Sequence, residues 1–155
     1  MGFLFKGAGL LGTRAPLVSD ISLILIVLTA IMFTIGWRLA VHRRYEAHRW
    51  VQTAAVLLNS AVVIIVMVSS YVLFILPGIP AKLGEGSYGI TTVHALVGLV
   101  SLILGVYVVL VGNSLLPTKL RFTNYKPFMR TAYALYITAT LLGVVVYIAV
   151  FVFGI

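Results

Sequence analysis

The chain has 155 residues, of which 62% are hydrophobic and only 9% are charged, and its mean hydropathy is +1.17. This composition is typical of an integral membrane protein, and the length suits one compact membrane domain. The net charge of +8 does not indicate nucleic-acid binding, because the basic residues flank apolar stretches. The chain has no cysteine, which excludes disulfides, thiolate metal sites and cysteine nucleophiles.

The first 19 residues are rich in glycine and weakly amphipathic. A convincing small-residue cleavage site is missing, so we predict a short interfacial segment over 1–19 and not a signal peptide. N-terminal acylation is disfavoured, because Lys6 stands where the motif requires Ser or Thr.

Four apolar stretches follow, and each reaches the ~20 residues that a spanning helix needs. Turn-forming residues separate them, among them Pro77-Gly78 and Pro117. The predicted spans are 20–39, 50–76, 88–115 and 129–153. Short linkers favour neighbouring helices that run in opposite directions. We therefore predict an all-α, single-domain, antiparallel four-helix bundle in the membrane.

The basic residues predict the orientation. Most of them surround the first and third linkers: Arg38, Arg43, Arg44, Arg49, Lys119, Arg121, Lys126 and Arg130. The opposite side has only Lys6, Arg14 and Lys82. The positive-inside rule then places both termini outside the cytoplasm, and the basic face against anionic lipid headgroups. We expect the cytoplasmic membrane of a prokaryote as the location.

A polar seam runs along the second span. Steps of four and three residues give its members: His48, Gln52, Ala55, Asn59, Val62, Val66 and Ser69. This spacing keeps them on one helix face, where polar groups are expected to meet other helices and not lipid. Counting the rise along each span sorts the seams by depth. The predicted polar core at mid-depth comprises Asn59, Thr29, Ser101 and Thr140.

Hydrogen bonds between helices are the first interpretation of this polar core, at about 0.6 to 2 kcal/mol each. The alternative is a polar relay or a ligand-binding cleft. A carboxylate is missing at this depth, which disfavours a proton-pumping path of the common kind. The sequence also contains no glycine-rich phosphate loop, zinc signature or nucleophile elbow, so we expect neither catalysis nor a metal site.

The histidines raise the hypothesis of haem b, which two imidazoles, or an imidazole and a thioether, can ligate. His48 lies at the cytoplasmic end and His94 at the outer end, which separates them by roughly 20 Å and excludes a single iron between them. The His/Met candidates are His94 with Met67 and His48 with Met129, at matching depths.

Structural roles for the histidines are the competing interpretation. For His48 we expect contact with headgroups. For His94 we expect a hydrogen bond to Asp20, Ser69 or Tyr147. Asp20 and Tyr147 form the predicted outer polar cluster, and Asp20 with His94 is the one plausible acid–base pair.

The pattern resembles the DUF-420 family of small four-helix membrane proteins along nearly the whole chain. The resembling residues are Gly12-Thr13-Arg14-Ala15-Pro16 with Asp20, His48, His94, Tyr125-Lys126-Pro127-Phe128-Met129-Arg130, Gly143 and Tyr147. Some members of that family are tied to the maturation of haem–copper oxidases in respiratory membranes. By this resemblance, His48 and His94 are the positions to suspect in such work. The chain departs from the family in having Trp50 and Val51 where a Met often occurs, and in lacking a His in the third linker.

The function predicted at this stage is a non-catalytic structural or assembly subunit of a respiratory or other energy-transducing membrane complex. Its expected partner is a larger membrane protein complex, and we expect no resident cofactor. The alternative is a small b-type haem protein for electron transfer. A transporter is disfavoured, because the sequence shows neither an inverted repeat nor a helix broken by Pro or Gly at mid-membrane.

Overall fold

The computed structural model describes residues 9–121 and 124–154, which contain four helices long and apolar enough to cross a membrane. The helices are α1, Leu17–Val41; α2, Tyr45–Val62; α3, Gly86–Gly112; and α4, Tyr125–Tyr147. Wider π-helical turns extend α2 through Val63–Val68 and Tyr71–Ile75, and a 3₁₀ turn, Leu76–Gly78, ends it. Similar π-helical turns, Ile148–Phe153, extend α4. The predicted all-helical fold with four apolar spans is confirmed.

Local backbone geometry sets the helix ends. Helix α1 starts directly after Pro16, whose extended backbone (φ −69°, ψ 156°) precedes the first turn. The α1–α2 turn is tight because Arg43 takes a left-handed conformation (φ 58°), so α2 begins earlier than predicted. Ser114 (φ 59°) likewise ends α3 earlier than its apolar run suggests.

The helices pack mainly in two pairs. Helix α1 lies against α2 over most of its length, as α3 does against α4, whereas the contacts of α2 with α3 and of α1 with α4 are fewer. The pairs are joined where the Asn113 amide donates to the Thr53 hydroxyl at 3.0 Å. At the same end, the rings of Trp37 and Tyr133 stack with their centroids 6.0 Å apart. We call this end of the molecule, with residues 34–53 and 113–133, the basic end.

The other end carries both terminal segments, residues 9–20 and 147–154, and we call it the terminal end. Here the Arg14 amide donates to the Phe151 carbonyl at 3.3 Å. The prediction of an interfacial segment over 1–19 partly concerns residues 1–8, including Lys6, which lie outside the described residues.

The best-packed apolar core lies towards the basic end. It is built from Phe33 of α1, Ala55 and Val56 of α2, and Tyr136 of α4. Ala55 is 0% exposed, and the rings of Phe33 and Tyr136 approach to 4.3 Å. A short side chain at position 55 therefore lets two aromatic rings meet between three helices.

The seam of α2 is covered unevenly. Val62 is buried, but Val66 and Ser69, the next members, are only half-buried. None of the residues from Val63 to Gly78 is fully buried. Four of the five seam residues from His48 to Val62 are therefore buried, with Gln52 half-buried, whereas neither seam residue beyond Val62 is buried.

Candidate functional site

His48 lies inside the molecule, between α1 and α2. Its side chain is 9% exposed, and its Nδ1 is 2.7 Å from the Gly36 carbonyl oxygen. Because a carbonyl only accepts, Nδ1 carries a hydrogen and donates it to this oxygen. Nε2 is buried and has no hydrogen-bond partner among the described residues. The expectation that His48 contacts headgroups is not met, because the close approach of α1 covers the ring.

Gly36 permits that close approach. A Cβ at this position would lie 2.5 Å from the Gln52 amide nitrogen, one helical turn beyond His48. Gln52 donates in turn to the Phe33 carbonyl at 3.3 Å. Small residues allow membrane helices to approach closely enough for such contacts. Two polar members of the α2 seam are thus oriented by the backbone of α1.

His94 repeats this arrangement between α3 and α4. Its Nδ1 is 3.1 Å from the Ala139 carbonyl, and a Cβ on Gly143 would lie 3.0 Å from its Cε1. The expected hydrogen-bond partners of His94 were Asp20, Ser69 or Tyr147. In the structure, the partner is instead the Ala139 backbone carbonyl. A hydrogen bond from one ring nitrogen to a carbonyl fixes the imidazole orientation and leaves Nε2 available, as in many histidines that bind metals.

The two histidines lie at different levels along the helix axes. The α1 residues beside each of them give their separation. His48 is bonded at Gly36, whereas a Cβ on Gly143, beside His94, would lie 3.3 Å from the Ile26 side chain. Gly36 and Ile26 are ten residues apart, or about 15 Å of helix. This geometry supports the inference that one iron cannot bind both rings in a single chain, although the separation is smaller than expected.

The methionine candidates stay predictions. Met67 and Met129 are each half-buried. Two surface depressions along α1 are lined by neither methionine, nor by His48 or His94. Among the described residues, no group of three or more His, Asp or Glu could hold a metal ion. A haem needs only one or two axial side chains, so this observation leaves the haem hypothesis untested.

Asp20 is the centre of a polar cluster at the terminal end. Its carboxylate is 0% exposed and accepts hydrogen bonds from the Leu10 and Leu11 amides, at 2.5 and 2.8 Å, and from the Tyr147 hydroxyl. The Thr13 hydroxyl lies 2.7 Å from the same Tyr147 oxygen. Asp20 and Tyr147, predicted together, are directly bonded, whereas no hydrogen bond or ion pair of the described residues joins Asp20 to His94.

Residues 9–16, which we call the terminal strap, form this cluster by folding back over the start of α1. A side chain on Gly9 would overlap the Asp20 carboxylate, and Gly12 has the left-handed backbone (φ 68°) that glycine adopts most easily. The strap covers Asp20 and ties α1 to α4 through Tyr147. For residues 9–16, the expected interfacial segment is therefore a structured cap on the helices.

The predicted polar core is buried, but its hydrogen bonds differ from those expected. Thr29, Asn59 and Ser101 are 0%, 7% and 5% exposed, and Thr140 is half-buried. The Thr29 hydroxyl donates to the Leu25 carbonyl of its own helix at 2.7 Å. The Ser101 hydroxyl has no partner among the described residues, and none of their hydrogen bonds involves the Asn59 amide.

Tyr136 supplies the connection between helices that was expected from these smaller residues. Its hydroxyl donates to the Ile26 carbonyl of α1 at 3.2 Å and lies close to the Thr29 and Thr140 hydroxyls. Depth counting follows Cα positions and ignores the reach of a tyrosine, so it did not include Tyr136 in the polar core. Thr13 was missed as a partner of Tyr147, although its motif with Asp20 was a usable signal.

Comparison of the chain with family models, with curated proteins and with solved structures finds no match. Its function therefore has to be inferred from its own residues and from the resemblance described above.

Proposed function

We propose that this protein is an integral membrane accessory subunit, without catalysis of its own, that serves the structure or assembly of a larger respiratory or other energy-transducing complex. The resemblance to the DUF-420 family favours a complex related to the haem–copper oxidases.

The orientation belongs to this proposal. The helices alternate in direction, both termini face away from the cytoplasm, and the basic end lies in it, as the positive-inside rule requires. Seven of the eight basic residues at that end are exposed, and the eighth, Arg121, donates to the Leu116 and Ser114 carbonyls. Reporter fusions should find the C-terminus outside; a cytoplasmic C-terminus would contradict the orientation.

One observation carries the proposal of a partner: the seam of α2 continues beyond the part that the chain itself covers. The seam is buried at Asn59 and Val62 but only half-buried at Val66 and Ser69. A half-buried side chain such as Val66, and the Ser69 hydroxyl, gain more from a neighbouring helix than from lipid chains, because close packing and hydrogen bonds drive helix association in membranes. The open part of the seam therefore fits a helix of another subunit.

The test is a native gel of the tagged protein extracted from its own membranes with a mild detergent. We expect it in a species larger than the free chain, together with subunits of the partner complex. Ser69→Phe, which enlarges the open seam, should release the chain. Leu57→Phe, on an α2 surface that is 65% exposed, should leave the complex intact. The proposal would be contradicted if the unaltered protein migrated only as the free chain. It would also be contradicted if Ser69→Phe and Leu57→Phe, in chains of equal thermal stability, released the chain to the same extent.

A b-type haem protein is the second candidate, and His48 is the observation that favours it. Its Nδ1 is held by the Gly36 carbonyl, and its Nε2 is buried without a partner in the described part of the chain. The second axial ligand would be Met129, the candidate at matching depth, or a residue of another chain, because His94 lies about 15 Å away along the helices.

A reduced-minus-oxidised absorbance spectrum separates the two candidates. The accessory-subunit proposal predicts no stoichiometric haem signal from the purified chain or from its His48→Ala and His94→Ala variants. A stoichiometric signal that disappears in His48→Ala would favour the haem candidate. A signal from a demonstrated monomer that is lost in both variants would also refute the separation of the two histidines.

A further inference from the structure

A long groove follows the face of α1 that is turned away from α2. It consists of two adjoining depressions, of about 430 Å³ nearer the basic end and about 280 Å³ further along, which share Thr34 and Ile35. The first is lined by Thr34, Ile35, Arg38, Leu39, His42 and Arg44. The second is lined by Val27, Ala30, Ile31, Thr34, Ile35 and Thr140. We call the two together the α1 groove.

The α1 groove has the length and polarity of a membrane lipid. Val27 and His42 are fifteen residues apart, which is about 22 Å of helix. Half of a ~30 Å hydrocarbon core plus a headgroup layer has a similar depth. The lining changes from aliphatic side chains at one end to cationic side chains at the other. A molecule with an anionic head and an apolar chain matches this order.

The cations at the mouth of the groove are not neutralised by the protein. The whole chain has only three acidic residues, Asp20, Glu46 and Glu85. Asp20 is buried under the terminal strap, and Glu85 precedes α3. Glu46 lies in the first turn of α2, two residues from Arg44, but forms no ion pair within the described residues. The guanidinium groups of Arg38 and Arg44 are exposed, and neither forms an ion pair within the described residues. Guanidinium groups bind phosphate oxygens in a bidentate geometry, so a phosphate is the natural counter-ion here.

The floor of the groove already has its polar groups satisfied. The Thr34 hydroxyl donates to the Ala30 carbonyl at 2.8 Å and lies 3.1 Å from the Tyr133 hydroxyl. His42 is bonded through Nδ1 to the Arg38 carbonyl at 2.8 Å, so only its Nε2 is available to a headgroup. Beyond Thr34 the groove presents aliphatic side chains, as an acyl chain requires. Thr140 of α4 lines the second depression opposite these side chains.

We propose that the α1 groove is a binding site for one anionic phospholipid. The phosphate is held between Arg38 and Arg44, and one acyl chain lies along Ile35, Ile31 and Val27. This is a defined site and not the general attraction of a basic surface to anionic lipid. It depends on the membrane location of the chain but not on its proposed role as an accessory subunit.

The first test measures lipid retention by native mass spectrometry of the purified full chain in detergent, titrated with phosphatidylglycerol or phosphatidylcholine. We expect one retained phosphatidylglycerol, and weaker retention of phosphatidylcholine. Arg38→Gln with Arg44→Gln should weaken phosphatidylglycerol binding by roughly tenfold or more. The control, Lys119→Gln with Lys126→Gln, removes the same charge from exposed positions of the other basic linker and should change it little. Equal weakening by both pairs would mean diffuse attraction and would overturn the site.

The second test addresses the apolar half of the groove. Ile35→Trp fills the region shared by the two depressions and should reduce phosphatidylglycerol retention, whereas Leu57→Trp, on the exposed face of α2, should not. Millimolar inorganic phosphate or glycerol phosphate should displace little lipid, since neither has an acyl chain. Full displacement by these anions would show a simple phosphate site, and unchanged retention in Ile35→Trp would show that the groove does not hold the chain. Circular dichroism confirms that each variant is folded.

Discussion

Enlarging Ala55 is the sharpest test of the packing between α1, α2 and α4. Ala55 is 0% exposed and lies in the core with Phe33, Val56 and Tyr136. The ring centroids of Phe33 and Tyr136 are 4.3 Å apart. Leucine at this position has no free volume to enter, so the rings or the helices must move. Overpacking of this kind costs about 1 to 3 kcal/mol. The change in intrinsic helix propensity from Ala to Leu is small and does not alter this value.

The neighbouring residue supplies the control. Ala54 is exposed, so Ala54→Leu introduces the same side chain at a position where the surrounding lipid or detergent can make room for it. We expect the free energy of unfolding to change by no more than about 0.5 kcal/mol. The assay is reversible unfolding in mixed micelles of increasing SDS content, followed by circular dichroism. Phe33→Leu should recover part of the loss in the Ala55→Leu background, because residues in contact are not additive. Equal effects of the two leucines, or strict additivity with Phe33→Leu, would refute this packing.

Two further predictions concern the polar groups. Asn59→Leu should leave the free energy of unfolding unchanged or raise it by up to about 1 kcal/mol, because the buried amide has no hydrogen bond within the described residues. The same SDS titration measures it. A decrease of more than about 1 kcal/mol would contradict the prediction and reveal a hydrogen-bond partner of Asn59. Tyr147→Phe removes the hydroxyl that joins Asp20 to Thr13, so limited proteolysis should cut the terminal strap faster. The control, Tyr45→Phe, changes a residue that is 64% exposed at the basic end and should not alter the rate.

The helices could be predicted from the sequence because their signal is local. Length and hydropathy identify a span without any knowledge of its neighbours. The seam also predicted the burial of Asn59, since its spacing keeps it on the face that carries Ala55 and Val62. The half-burial of Val66 and Ser69 was not predictable, because it depends on how the other helices pack against α2 and not on the spacing of the seam.

The partners of the polar groups were harder to predict, because they depend on the register between helices. His48 and His94 both bond to backbone carbonyls, which every residue carries and no sequence pattern marks. The nearby glycines, Gly36 and Gly143, leave room for these contacts, but a glycine in a sequence does not show which side chain will approach it. The fold of the terminal strap depends on backbone amides in the same way.

The proposed accessory role requires that a helix of another subunit binds the part of the α2 seam beyond Val62. A photo-reactive amino acid placed at Ser69 in native membranes tests it most directly, with the same probe at Leu57 as the control. We predict that the probe at position 69 crosslinks to a specific membrane subunit of a respiratory or other energy-transducing complex, and that the probe at position 57 yields lipid adducts. Lipid adducts alone at both positions would contradict the claim.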